Sequence, residues 1–182
     1  PTKVISAVGM FYKNINLLTA NNVDIKVKGS ISKFLAECGK LNSINGMTIA
    51  NVTDTSYMFY NDVKITTMLD NIPSTCNCAD YMYANTSVES CDFTGKQFGS
   101  ISCTYSNFMA GAYDITAYLN FTSGNILALG GVVENCENIV IDLTGMDLSS
   151  ISDFSNWFKN KEGLSKIILD NVIWNSSDKL LY

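Results

Sequence analysis

The segment Ser56-Tyr57-Met58-Phe59-Tyr60-Asn61 contains a pattern that recurs along the chain: two adjacent large apolar residues, usually followed two places later by a small polar one. The same kind of pair occurs at Met10-Phe11, Phe34-Leu35, Met82-Tyr83, Phe108-Met109, Val132-Val133 and Trp157-Phe158. The first members of successive pairs are separated by 24, 24, 24, 26, 24 and 25 residues. A nearly fixed period of this size is typical of a solenoid or a repeat array.

Two further columns of the repeat support the period, because neither was used to define it. The seventh residue after the first member of each pair is Leu or Ile in six of the seven units: Leu17, Leu41, Ile65, Ile115, Ile139 and Leu164. The exception is Glu89. The third residue after the first member is Asn in four units: Asn61, Asn85, Asn135 and Asn160. Agreement between independent columns indicates a true structural repeat.

Each unit contains the same order of sequence signals. A polar run such as 53–56 precedes the pair, and its Asp and Ser residues are favourable N-caps for a helix. The pair and the residues after it leave room for about two helical turns. An alternating run such as Ile139-Val140-Ile141-Asp142-Leu143 follows, and alternation indicates a half-buried strand. A turn signal such as Thr144-Gly145 ends the unit.

These signals predict an α/β solenoid, a leucine-rich-repeat-like stack of about seven units, each with a short parallel β-strand and a short helix. One unit has too little apolar surface to offset the entropy of ordering ~25 residues, whereas stacked units share a continuous core. The chain 1–182 is then a single domain. Residues 1–33 are expected to form an atypical first repeat or cap, and residues 174–182 a C-terminal cap. The strand of the seventh unit is offset by one residue, Ile167 against Ile141, which leaves its inward and outward faces open.

The charged residues argue against a nucleic-acid partner. The 182-residue chain has a formal net charge of −5, and its 12 basic residues are all Lys. The guanidinium group that reads guanine edges and clamps phosphates is therefore absent, and the only basic cluster is Lys26 and Lys28. No stretch approaches the ~20 consecutive apolar residues that span a bilayer, and no signal peptide or anchor is recognised. We expect neither a nucleic-acid partner nor a membrane span.

Residue types that carry catalysis are scarce. The chain has no His, which excludes a Ser or Cys nucleophile with a His base and leaves Lys or a carboxylate as the conceivable bases. The pair Gly130-Gly131 is not followed by the Lys and Ser or Thr of a phosphate-binding loop. No pair of carboxylates recurs at a position that the repeat would bring together in a cleft. The sequence therefore predicts a protein that is not an enzyme and has no cofactor.

The six cysteines are predicted to be buried free thiols. Cys38 and Cys136 share a repeat column but lie about four repeats apart, or ~20 Å at ~4.8 Å per strand, which is beyond disulfide reach. Cys76 and Cys78 are close in sequence, but no His and no second such pair is available to complete a tetrahedral metal site. We therefore predict no metal.

The repeat unit resembles the BspA-like leucine-rich repeats of bacterial surface proteins and mycoplasma-type surface lipoproteins. The closest matches are Asp54-Thr55-Ser56-Tyr57-Met58-Phe59, Val133-Glu134-Asn135-Cys136-Glu137-Asn138-Ile139 and Ile141-Asp142-Leu143. The resemblance covers nearly the whole chain. It implies a leucine-rich solenoid used for adhesion or protein recognition, carried on a cell surface or, in some cases, on a phage particle.

Together these observations predict a non-enzymatic interaction scaffold whose sheet binds a protein or glycan partner. If the strand register holds, the outward side chains, and hence the candidate partner-binding residues, are Asp92, Thr94, Thr116, Tyr118, Asn120, Val140, Asp142 and Thr144. The alternative is a structural virion component, such as a capsid decoration or a tail or baseplate protein, that docks against neighbouring subunits. That alternative predicts that the ends of the solenoid are buried in an assembly.

Overall fold

The computed structural model describes residues 4–175 and shows a parallel-strand β-solenoid of about six turns with very little helix. Seven apolar pairs mark seven corners, and the six intervals between them correspond to these turns. The strands are short: β1 Asp24–Ile25, β2 Thr48–Ile49, β3 Cys91–Asp92, β4 Gln97–Phe98, β5 Thr116–Tyr118, β6 Ser123–Gly124, β7 Ile139–Asp142 and β8 Leu164–Ile168. A 3-10 helix, Ile126–Val133, is the one helix in the described residues.

All strand pairs are parallel and join successive turns. The strands β3, β5, β7 and β8 form a four-stranded sheet in that order, whereas β1 pairs with β2 and β4 with β6. Single parallel bridges outside the named strands, such as Thr19 with Ser43 and Ile72 with Phe98, extend the same two stacks of strands into turns that have no longer strand. Further bridges join Ser30, Asp54, Cys78 and Thr104 in a third column. That third column begins the corner of each turn, the segment that carries the apolar pair.

The predicted helix in each unit is wrong, because the corner is built from overlapping turns. In one corner the N–H groups of Met58 and Tyr60 bond to carbonyls three residues back, Thr55 and Tyr57, at 3.1 Å each. The N–H groups of the intervening residues leave the turn altogether, and that of Phe59 donates to the Met82 carbonyl of the next turn at 2.9 Å. Alternate N–H groups thus bond along the axis of the stack, which an α-helix cannot do.

The Asn column explains why the corner is not helical. Asn61 and Asn85 have φ angles of 60° and 57°, and Tyr57 and Tyr81, which immediately precede their pairs, have φ of 57°. A positive φ at the third residue of a turn is the requirement of a type II turn, and Asn tolerates it better than other non-glycine residues. The polar residues around the pair therefore specify left-handed turn positions and not a helix cap.

The apolar pairs form the core of the stack, as the repeat predicts. Both members are buried in the five central units, from Phe34-Leu35 to Val132-Val133. Aromatic rings contact each other from turn to turn, with centroid distances of 5.1 Å for Phe59 and Tyr83 and 5.5 Å for Tyr83 and Phe108. In the Leu and Ile column, the Glu89 side chain is exposed and Val88 is buried in its place.

A β-bulge resolves the register of the seventh unit. Ile139 pairs with Leu164 but Val140 pairs with Lys166, so Ser165 is an extra residue in β8. The register is then restored, with Ile141 opposite Ile167. The one-residue offset in the sequence is thus absorbed locally, as expected of a bulge.

Asp62 is the one fully buried carboxylate of the described residues. Its Oδ1 accepts a hydrogen bond from the Cys38 N–H at 2.7 Å, whereas its Oδ2 has no partner among the described residues. Burial penalises the charged form and raises the pKa of Asp62 from 3.8 to about 8. Asp62 is therefore protonated in the folded protein at neutral pH.

The repeat supplies a matched pair of methionines with which to test the core. Met58 is fully buried and Met10, in the same column, is 64% exposed. We expect Met58→Ala to lower the free energy of unfolding by about 2–5 kcal/mol, because it leaves a cavity, and Met10→Ala to change it by no more than about 0.5 kcal/mol. Urea denaturation followed by circular dichroism measures both values, and equal effects would contradict the stacking of the pairs.

Asp62 predicts that stability falls as pH rises from about 4 to about 8. The folded protein keeps the Asp62 proton up to about pH 8, whereas the unfolded chain releases it near 3.8, so the unfolded state is favoured progressively across this interval. Asp62→Asn keeps an acceptor for the Cys38 N–H and cannot ionise. We expect the melting temperature of the variant, relative to wild type, to increase steadily between about pH 5 and about pH 8.

Thermal unfolding of wild type and Asp62→Asn across this pH range measures the difference between their melting temperatures. Titrating groups that the two proteins share contribute equally to both, so the difference reports on Asp62. The control is Asp70→Asn, which neutralises an exposed carboxylate. Parallel pH profiles for wild type and Asp62→Asn would show that Asp62 is ionised in the folded state.

Candidate partner-binding face

The outer face of the sheet β3-β5-β7-β8 brings together the residues that the sequence predicts for partner binding. Asp92, Tyr118 and Asp142 are register partners on successive strands and form one row across the sheet. Thr116 and Val140 are register partners in a second row. Cys91, Ala117 and Ile141 alternate with them and are fully buried, so the two rows face away from the core. We call this surface the outer face.

The remaining predicted residues lie just beyond the strand ends. Asn120 Nδ2 donates a hydrogen bond to the Thr144 carbonyl at 2.9 Å, which links two neighbouring turns. Thr94 lies two residues after Asp92 at the end of β3. Of the eight residues, Asp92, Thr94, Tyr118 and Thr144 are exposed, and Thr116, Asn120, Val140 and Asp142 are half-buried. All eight are therefore accessible on one surface, and their role in binding stays a prediction.

Two carboxylates of the outer face are held by the turns that follow their strands. Asp92 Oδ1 and Asp142 Oδ1 each accept the backbone N–H two residues later, that of Thr94 and Thr144, at 2.9 Å. The Thr144 hydroxyl also donates to Asp142 Oδ1, at 2.5 Å. The Thr94 N–H bond lowers the pKa of Asp92 below its ordinary value. The Asp-x-Thr sequence thus ends the strand and fixes a carboxylate at the same place.

Tyr118 stands between these two carboxylates and is 46% exposed. Neighbouring strands are about 4.8 Å apart, so the row presents a carboxylate, a phenol and a carboxylate at regular intervals on a rigid backbone. The phenol offers an apolar ring and a hydroxyl, and the carboxylates accept hydrogen bonds. This combination suits the recognition of donor groups on a protein or a glycan.

The outer face continues into β8, which the sequence left unassigned. Lys166 is opposite Val140 and Ile168 is opposite Asp142. Lys166 is exposed, and it adds a cation to an otherwise acidic surface. Only the one-residue offset of the seventh unit signalled this extension, and the offset alone did not reveal the position of the bulge.

A strip of tyrosines on the corners was not predicted. Tyr57 and Tyr81 stack with centroids 4.7 Å apart and planes at 6°, and Tyr60 contacts both rings edge-on. The Lys33 Nζ lies 5.5 Å from the centroid of Tyr57. The signal for this strip was present in the sequence, because Tyr57 and Tyr81 precede their pairs at the same repeat position.

A groove between the last two corners was also not predicted. Glu134 and Lys161 form an ion pair across it, and Glu134 Oε2 accepts the Asn107 N–H at 3.1 Å. Hollows of about 600 and about 280 Å³ lie beside the pair. The groove depends on Gly130 and Gly131, since a Cβ on either would lie under 3.0 Å from backbone atoms of other turns. The sequence signal was the Gly-Gly step directly before an apolar pair.

The described residues contain no group of three or more Cys, Asp or Glu side chains arranged to hold a metal ion. All six cysteines are free thiols. The neighbouring Cys103 thiol is the main cause that lowers the pKa of Cys76, and both side chains are fully buried. No helix within residues 4–175 has the length and apolar character needed to cross a bilayer.

The arrangement of the outer face is thus a set of fixed polar groups on a flat, rigid sheet. Comparison of the chain with protein-family models, with curated proteins and with solved structures finds no match in any of the three.

Proposed function

We propose that this protein is a non-enzymatic interaction scaffold whose outer face binds a protein or glycan partner. The observation that carries the proposal is the row Asp92, Tyr118, Asp142, in which three polar side chains are held in register by the parallel sheet. Pre-organised groups bind with a smaller loss of conformational entropy than groups on mobile loops. Tyr, which lies at the centre of this row, is one of the residue types that are enriched among the strongest contributors to interfaces.

The sequence features that resemble BspA-like repeats support a location on a bacterial cell surface or a phage particle. We offer kinship with that family as part of the proposal. The observed turn differs from a leucine-rich repeat because it lacks the helix, so the support comes from the apolar-pair motif and its period and not from the conformation of the unit.

The outer face predicts which changes weaken binding while leaving the fold intact. Tyr118→Ala removes an exposed ring. Asp142→Asn removes a charge but keeps the oxygen that accepts the Thr144 N–H. We expect each change to weaken partner binding by about tenfold or more, in line with about 1–2 kcal/mol for a central interface residue, and to leave the unfolding midpoint nearly unchanged.

The measurement is binding of wild type and variants to an array of glycans and to immobilised surface proteins of candidate host cells, followed by titration of any ligand found. The matched controls are Tyr113→Ala, which removes another exposed tyrosine, and Asp70→Asn, which removes an exposed charge; neither residue belongs to the outer face. A ligand whose affinity is the same for wild type, Tyr118→Ala and Asp142→Asn would exclude the outer face as its binding site.

A second candidate function, a structural component of an assembly such as a phage particle, is favoured by one observation. The first described turn exposes several large apolar side chains, and clusters of this kind on a protein surface mark sites of association. Sedimentation of the isolated chain, together with detection of the chain in purified particles, tests this candidate.

A further inference from the structure

The groove at Glu134 and Lys161 lies where the backbone ladder of the corners is interrupted. In each of the first four corners, four N–H groups donate to carbonyls of the next turn, at 2.7–3.0 Å. The equivalent N–H groups of the sixth corner do not reach the seventh within residues 4–175: Leu129, Gly131, Val133 and Asn135. Three of them belong to the 3-10 helix, in which N–H groups bond three residues back. The backbone of the two turns is joined again at the Ile139 N–H, which donates to the Gly163 carbonyl at 2.8 Å.

Side chains connect the two corners in place of these backbone bonds. Glu134 Oε1 pairs with the Lys161 ammonium, and Glu134 Oε2 accepts the Asn107 N–H at 3.1 Å. The side chains of Glu134 and Lys161 are only 31% and 21% exposed. Bonds on both oxygens fix the carboxylate, because hydrogen bonds to an ionised group are strong. The two residues line both hollows of the groove, so the ion pair marks the boundary between them.

The larger hollow, of about 600 Å³, is lined by amide side chains. Asn135 and Asn160 occupy the same repeat position in the sixth and seventh corners, and both are exposed. Asn135 Nδ2 donates to Asn107 Oδ1, which orients the first amide. The Asn160 amide has no hydrogen-bond partner among the described residues. Each amide presents a donor and an acceptor in one plane, a pattern that matches two neighbouring hydroxyl groups.

The smaller hollow, of about 280 Å³, combines an apolar wall with hydroxyl groups. Three apolar and two hydroxyl-bearing residues contribute to its lining: Trp157, Leu127, Ala128, Thr104 and Ser106. The Trp157 indole N–H donates to the Ile126 carbonyl at 2.5 Å, and the ring packs on Phe154 with centroids 5.2 Å apart. The half-buried indole is therefore held in one orientation. A fixed aromatic ring beside hydroxyl groups suits a ligand with an apolar face and a polar edge.

The charges of the lining favour a neutral ligand. Glu134 and Lys161 neutralise each other, and Glu162 is the other charged residue that lines either hollow. An anion would meet the Glu162 carboxylate with no unpaired cation to offset it. Glu162 is exposed, and a single exposed carboxylate attracts a cation only weakly. The described residues also hold no cluster of three side chains suited to a metal ion.

We propose that the groove binds a neutral oligosaccharide, with at least one sugar unit in each hollow. The sugar hydroxyls bond to the amides of the larger hollow, and the C–H face of one ring lies on Trp157. Together the two hollows fall within the range of about 300–1,000 Å³ that is typical of small-ligand sites.

An extended peptide suits the groove less well than a sugar. A bound peptide strand needs a row of free backbone groups. In the sixth corner, the 3-10 helix Ile126–Val133 already uses most of the N–H groups that could form such a row. The groove shares no residue with the outer face, so the proposal does not rest on the function proposed for that face.

Two changes in the groove and one matched change outside it test the proposal. Asn160→Gly removes an amide, and glycine readily adopts the φ of 56° found there. Ser106→Trp fills the smaller hollow from an exposed position. The control is Asn85→Gly, which removes an amide at the same repeat position of a central corner, with φ of 57°.

The probes are neutral trisaccharides of glucose, mannose, galactose and N-acetylglucosamine in several linkages, titrated calorimetrically into each protein. We expect at least one probe to bind wild type and Asn85→Gly with equal affinity. Loss of the hydrogen bonds of one amide should weaken its binding to Asn160→Gly by about fivefold. Ser106→Trp should show no measurable binding, and circular dichroism checks that each variant is folded.

The emission of Trp157 reports where the sugar binds. The chain has two tryptophans, so Trp174→Phe leaves Trp157 as the single one. A sugar in the groove should shift the emission of this variant to shorter wavelength, because it displaces water from the indole. If Ser106→Trp does not fold, this shift and the Asn160→Gly affinity decide the question.

Three results would overturn the proposal. The first is that no trisaccharide of the panel binds. The second is that Asn160→Gly and the control bind equally well and the Trp157 emission does not change. The third is that a library of extended hexapeptides contains a ligand for the groove and the saccharide panel does not. A saccharide whose binding is lost in Tyr118→Ala and kept in the groove variants belongs to the outer face, which would support the function proposed for that face and exclude the groove.

Discussion

The structure depends on backbone hydrogen bonds that run from each turn to the next. In the first four corners, alternate N–H groups donate to carbonyls about 24 residues later, and in the strands the parallel register has a similar offset. A single turn therefore leaves half of its corner N–H groups without partners, and only stacking supplies them. The same offset aligns the apolar pairs, so the hydrogen bonds and the hydrophobic core are satisfied by one arrangement.

The stacking requirement also explains which parts of the structure could be predicted from the sequence. The same kinds of side chain recur in each unit, and this recurrence predicts the period of the solenoid, the buried positions and the outward-facing positions. Met58, Leu41 and Ile141 are buried as expected. The helix was wrong because Asp, Ser and Asn serve equally well at helix caps and in tight turns. The sequence of one unit does not show whether these residues cap a helix or form a tight turn. The positive φ angles of Asn61 and Asn85 identify the tight turn.

The outer face shows the same division between what repeats and what does not. Asp92, Tyr118 and Asp142 could be placed on one surface because each lies at the same step of its own unit. Lys166 could not be placed on this surface from the sequence, because Ser165 is an extra residue in its strand. A one-residue shift exchanges the inward and outward faces of the residues that follow it. The groove at Glu134 and Lys161 arises where Gly130 and Gly131 let a corner change conformation, and such local departures have no counterpart in other units.

The short separation between bonded residues also determines how the chain can acquire its structure. Most cross-turn hydrogen bonds of the side chains join residues 22 to 28 positions apart, as in Asn85 with Asn61 and Asn120 with Thr144. No contact between distant ends of the chain must form before others can, so any two adjacent turns can serve as a nucleus from which growth proceeds in both directions. Loss of the first or last turn would then fray one end and leave the middle of the solenoid ordered.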